Sequence, residues 1–155
     1  MASCSCPMVL LILLIGASVA LASSSVPIRV PLEIPTAFTV GRKVLLEGRS
    51  KGDRFKINFV NRQGYIAFHL NPRFDSEKIV RNSYSDGDWG AEESGGGFPL
   101  RERVRFEMSI ANENPAFQVF INGDRFCTFA HRLGKTDIIK IQIAGDLELY
   151  AVNVV

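Results

Sequence analysis

From Phe38 to the last residue, apolar and polar positions alternate with a period of two in short segments. These read "KVLLEGR", "RFKINFV", "YIAFHLN", "KIVRNS", "VRFEMSI", "AFQVFIN", "RFCTFAH", "IIKIQIAG" and "LELYAVNVV". Each is rich in Val, Ile and Phe and is bounded by turn formers such as "SKGD", "NRQG", "SDGD", "ESGGG", "NENP" and "NGD", the signature of strands joined by tight turns. Asn122-Gly123 between "FQVFI" and "RFCTF" predicts a two-residue hairpin, because both residues tolerate the positive φ that such a turn requires. No window after residue 22 carries a 3.6-residue apolar period. Short strands without helices predict an all-β antiparallel sandwich or barrel.

Alternation also assigns faces, since neighbouring side chains on a strand point to opposite sides. Phe55, Ile57 and Phe59 share one side of their segment, as do Ile66, Phe68 and Leu70, and Phe117, Val119 and Ile121. These are the expected core faces. In "FHLNPRF", His69, Asn71 and Arg73 then stand in a row facing away from that core. Downstream, "VRNS" sets Asn82 on the face opposite Arg81, and the Gly-rich "SDGDWGAEESGGG" supplies Trp89 and Glu92 from what reads as an exposed loop. Side chains opposite one another on adjacent antiparallel strands lie about 5 Å apart, so these six residues can converge on one patch.

The amino-terminal residues follow another pattern. "MVLLILLIGASVALA", Met8 to Ala22, is apolar throughout and ends in small residues, which predicts a secretory leader cleaved after Ala22. It is shorter than the roughly 20 residues a spanning helix needs. Residues 23–37 follow as a proline-punctuated arm or edge segment with Pro27, Pro31 and Pro35, and residues 38–155 form one domain. Cys4 and Cys6 fall in the leader, so the mature chain keeps only Cys127 and has no intrachain disulfide. In the apolar "RFCTF" that thiol reads as buried and inert.

Net charge is +2, with both signs interspersed, which points away from nucleic acid or an anionic membrane as partner. No N-x-[ST] sequon occurs. His69, His131 and Cys127 lack the spacing of a zinc site. A glycosidase needs two carboxylates flanking the scissile bond, and the converging set holds one, Glu92, with Asp75, Asp86, Asp88 and Glu93 as the nearby alternatives. Glu92 beside Arg73 would stay ionised and make a poor general acid, so no enzymatic activity, cofactor or metal is expected. His131, in "FAHRL", reads as structural.

The mixture of donors, acceptors, one fixed cation, one anion and one large flat ring suits a sugar. Hydroxyls donate and accept, charged partners strengthen those bonds, and an indole face covers the C–H side of a pyranose. Galactose, whose axial 4-hydroxyl gathers C–H groups on one face, is the hexose best suited to Trp89. "HLNPRF", "VRNS" and "WGAEE" resemble, in order and nearly in spacing, the galectin signature H-x-N-P-R, V-x-N, W-x-x-E-x-R, and the similarity covers roughly residues 27–155. The resemblance implies a two-sheet jelly-roll sandwich, concanavalin-like, that binds β-galactosides without metal. It further implies that His69, Asn71 and Arg73 contact the 4-hydroxyl, Asn82 and Glu92 the 6-hydroxyl, and that Trp89 stacks on the ring. Glu92 would orient Arg73 by an ion pair. The family's final Arg falls on Ser94, so the half of the site that meets the second sugar departs from the pattern. The expected partners are galactose-bearing glycoproteins or glycolipids outside the cell, with no membrane span after cleavage and with self-association, such as an edge-to-edge homodimer, supplying multivalency. The competing expectation is a galectin-fold protein with weakened or lost sugar binding that acts through protein contacts.

Overall fold

The computed structural model describes residues 26–133 and 137–155, so the expected leader lies outside the described residues. Every regular element among them is a strand. These are β1 (Leu32–Pro35), β2 (Lys43–Asn61), β3 (Ile66–Arg73), β4 (Lys78–Ser85), β5 (Asp88–Trp89), β6 (Arg105–Asn112), β7 (Ala116–Ile121), β8 (Asp124–Ala130) and β9 (Ile138–Val154). Hydrogen-bonded neighbours run β5-β4-β3-β2-β6-β7-β8, with β9 pairing both β1 and β2, all antiparallel.

β2 and β9 belong to both layers. Lys43–Arg49 of β2 pairs with β6, whereas Arg54–Val60 pairs with β3, and β9 accompanies β2 along both stretches. One layer is therefore β5-β4-β3-β2-β9-β1 and the other is β9-β2-β6-β7-β8. The sequence reading expected a turn at "SKGD" and separate strands on either side; the ladder instead bends, with its register shifting between Ser50 and Phe55. Gly145 sits opposite that bend at φ +105°, and a Cβ there would lie 2.7 Å from the Arg54 carbonyl oxygen, so the close crossing requires glycine. The tight turns are as expected: Asn122 (φ 51°) and Gly123 (φ 86°) join β7 to β8, and Asp86 (φ 53°) and Gly87 (φ 87°) join β4 to β5.

The two layers meet through phenylalanine. Phe68 of β3 stacks on Phe59 of its own layer at 5.7 Å and on Phe117 and Phe129 of the facing layer at 4.8 Å each. Phe55, Ile57, Leu70, Val119 and Ile121 complete the core as alternation predicted. Ile66 is the exception. Register shifts at Phe59/Val60 and between Ile66 and His69 break the parity there, so Ala67 and Phe68 are both buried while Ile66 is only half-buried. Cys127 is free and half-buried, and desolvation pushes its thiol up to about 11, which leaves it unreactive at neutral pH. Within the arm, Ile28 bridges Leu149, and β1 forms the edge of the first layer.

Candidate functional site

Register brings the expected residues together on the outward face of the first layer. His69 on β3 lies opposite Asn82 on β4, Asn71 opposite Val80, and Tyr84 opposite Trp89 on β5. Beside them lies an open groove of about 430 Å³ lined by His69, Arg73, Val80, Asn82, Trp89, Gly90 and Glu92. Trp89 stands on a two-residue edge strand rather than on a loop and is 50 % exposed. Its ring lies against two others, 4.8 Å from His69 and 5.2 Å from Tyr84 between centroids. Its orientation is therefore set before any ligand arrives.

Arg73 also lines the groove, and among the described residues its Nε and Nη2 have partners while its Nη1 has none. Its Nε donates to Asn71 Oδ1 at 2.9 Å, and its Nη2 lies 3.6 Å from Glu92 Oε2, the ion pair the motif implied. Asn71 is not part of the wall: it is buried, donates from Nδ2 to the Phe55 carbonyl at 2.6 Å, and supports Arg73 from behind. Asn82 is similarly tied down, donating to Gly90 O at 3.0 Å and accepting from the Ser83 amide at 2.8 Å and from Arg132 Nη1 at 3.0 Å. Arg132 also pairs with Glu93 at 2.8 Å, so one guanidinium braces both the β4 wall and the segment after β5. Nothing in the sequence singled out Arg132, because 50 residues separate it from Asn82 and it lies in the bend after β8, where strand parity assigns no face. On the core side of β4, Arg81 donates to the carbonyls of Ile79 and Gly95 at 2.8 Å each and so fixes the turn beyond Glu92.

His69 is 9 % exposed, and its Nδ1 lies 2.6 Å from Asn58 Oδ1 on β2. Desolvation first, then the nearby charges of Lys56 and Arg73, lower its imidazolium to about 4 from the ordinary 6.5. The ring is therefore neutral at physiological pH and ready to take part as an acceptor. Between pH 6.5 and 4 the unfolded chain binds a proton at this position and the native one does not, so stability falls as pH falls across that window and levels off below it. The step amounts to roughly 3 kcal/mol at 1.4 kcal/mol per unit. Denaturant titrations at pH 7 and pH 4 are expected to differ by that amount more in the wild type than in His69→Gln; equal differences would refute the burial of a neutral ring.

Three of the four other nearby carboxylates are engaged elsewhere. Asp75 pairs with Arg54 at 3.2 Å, Asp86 accepts from the Tyr65 hydroxyl at 2.6 Å, and Glu93 is bound to Arg132. Among the described residues no group of three or more His, Cys, Asp or Glu could hold a metal ion. His131 packs its ring on Phe117 at 4.5 Å and bonds the Glu113 carbonyl at 2.7 Å, which is the structural part expected of it.

The sandwich thus presents a shallow groove lined by an indole and a guanidinium–carboxylate pair. The family model described as galactoside-binding lectin matches residues 29–154, and the chain belongs to that family, one of carbohydrate-binding proteins rather than enzymes. The chain is 43 % identical over 129 residues to the 32 kDa beta-galactoside-binding lectin of Haemonchus contortus, covering 81 % of this chain and 46 % of that protein. It is 40 % identical over 126 residues to galectin-4 of Sus scrofa, covering 77 % and 39 % respectively. The chain thus spans about half the length, or less, of these curated relatives. Among solved structures, Caenorhabditis elegans galectin LEC-6 superposes with a TM-score of 0.78 at 26 % identity, covering 84 % of this chain and 94 % of that one.

Proposed function

We propose that the protein is a secreted lectin that binds terminal β-galactosides on glycoproteins or glycolipids, without metal and without catalysis. The observation that carries the reading is the groove itself: a half-exposed, preset Trp89 facing Arg73, Glu92, His69 and Asn82 across a space of monosaccharide size. The apolar face of galactose lies on the indole, while its 4-hydroxyl reaches His69 and the free edge of Arg73 and its 6-hydroxyl reaches Asn82 and Glu92. Hydrogen bonds to charged partners are worth roughly 1.5–3 kcal/mol each, and the aromatic contact adds to them. Shallow sites of this kind gain useful avidity through multivalency, which we assign to self-association.

A second reading rests on one residue. Ser94 stands where the family motif has its final Arg, so a second sugar beyond galactose meets a hydroxyl in place of a cation. The experiment uses mature protein recovered from the medium of a secreting host, with Ser23 at its amino terminus, in calorimetric titrations with lactose and N-acetyllactosamine. Saturable heat with lactose is expected, together with a shift in the emission of Trp89, the chain's one tryptophan. Ser94→Arg is expected to raise disaccharide affinity several-fold, within the range of one added charged hydrogen bond. Absence of heat and of any emission change with both sugars, in wild type and variant alike, would leave the protein-binding reading in place.

A further inference from the structure

The polar row seen from the groove does not stop at His69. Across four neighbouring strands, Glu33 of β1 lies opposite Gln142 of β9, Gln142 opposite Asn58 of β2, and Asn58 opposite His69 of β3. Hydrogen bonds follow the same line: Gln142 Nε2 to Glu33 Oε1 at 2.6 Å, Asn58 Nδ2 to Gln142 Oε1 at 3.4 Å, and Asn58 Oδ1 to His69 Nδ1 at 2.6 Å. We propose that Glu33, on the edge strand and outside the groove, is a positioning residue that sets the tautomer of His69 through Gln142 and Asn58.

The argument runs from the end of the chain inward. An ionised carboxylate only accepts, so Gln142 must turn its NH2 group toward Glu33. Its carbonyl oxygen then faces Asn58, which must answer with its own NH2 group. That leaves the Asn58 carbonyl oxygen toward His69, and only a protonated Nδ1 satisfies it. A neutral imidazole has one N–H, so Nε2 carries a lone pair. The hydrogen bond from Gln142, and then Lys140 with Nζ 3.3 Å from Glu33 Oε1, hold the Glu33 carboxyl below its ordinary range, which keeps the accepting end of the line charged. Either carboxamide turned over would place two donors or two acceptors face to face, so the polarity of the whole line follows from its one charged member.

The consequence for recognition rests on the lectin reading above. His69 offers the groove an acceptor while Arg73 beside it offers donors, so the two discriminate in favour of a group that gives one proton and takes others, namely a hydroxyl. A fluorine or ether oxygen at that place accepts but does not donate, and leaves His69 unanswered. Sugars are therefore selected for a free hydroxyl at this corner by a residue that never touches them.

Long-range nitrogen–proton correlation spectra of the imidazoles at pH 7 test the relay without any ligand, and lactose titration of the same samples tests its effect. In the wild type, His69 is expected to be protonated at Nδ1 and bare at Nε2. In Glu33→Gln, where either end of the new amide can face Gln142, and in Gln142→Leu, which interrupts the line, the population protonated at Nε2 is expected to rise, with lactose affinity falling about threefold to tenfold. Glu33 has a half-exposed side chain, so its replacement leaves the core untouched. A wild-type ring protonated at Nε2, or a tautomer and affinity unchanged in both variants, would overturn the relay while leaving galactoside binding standing. A tautomer that responds to the variants in a protein without lactose affinity would uphold the relay and remove the lectin reading instead.

Discussion

Arg73→Ala is expected to abolish lactose binding while leaving the folded domain nearly as stable as before. Among the described residues that line the groove the guanidinium is the one fixed cation, and Asn71 at Nε and Glu92 at Nη2 hold the same edge, which leaves Nη1 for a sugar hydroxyl. Loss of two charge-assisted hydrogen bonds costs roughly 3 kcal/mol or more, which is at least a hundredfold in affinity. The cost to folding is small because the pair with Glu92 is partly solvated on both sides, and such pairs contribute about 0–1 kcal/mol. Calorimetry with lactose and a denaturant titration on the same variant measure the two numbers. Full lactose affinity in Arg73→Ala would remove the groove from the mechanism.

Phe68→Ala is expected to do the opposite. Phe68 is fully buried and touches three other phenylalanine rings, two of them on the facing layer, so it holds the layers together directly behind His69. Truncating such a residue costs about 3–5 kcal/mol from lost transfer energy and the cavity left behind. That is a large part of the 5–15 kcal/mol typical of a domain. The unfolding midpoint in urea should fall steeply with little change in slope. The fraction that remains folded at low temperature should still bind lactose, because the groove residues hang from backbone ladders that the substitution leaves in place. A loss under 1 kcal/mol would mean that the two layers are joined elsewhere.

The two variants act on opposite faces of one strand, and that division was legible in the sequence. Alternation in "IAFHLNPRF" separated Phe68 and Leu70 from His69, Asn71 and Arg73 because a pleated strand enforces it locally. The same parity in "RFKINFV" and "KIQI" set Asn58 and Gln142 among the outward residues, and nothing but the register between strands could say that they stand in line with His69. Arg132 was beyond reach for a similar reason: it lies just past the end of β8, and only the packing of the two layers brings it to Asn82. The turn expected at "SKGD" failed because polar, turn-forming residues also suit an exposed bend in a continuous ladder. Ile66 was misassigned because a bulge inverts parity and leaves no mark in a run of apolar residues.

The shared strands β2 and β9 also order events in time. By the time Glu92 has been synthesised, a growing chain already contains every residue of the groove wall, yet β2 still lacks its partner along both layers and His69 lacks the Gln142 end of its line. Pairings so distant in sequence form late, since closing the long loop costs entropy before the contacts repay it. Groove geometry is therefore expected to be completed only when β9 docks, so that a nascent chain displays the motif before the groove is finished.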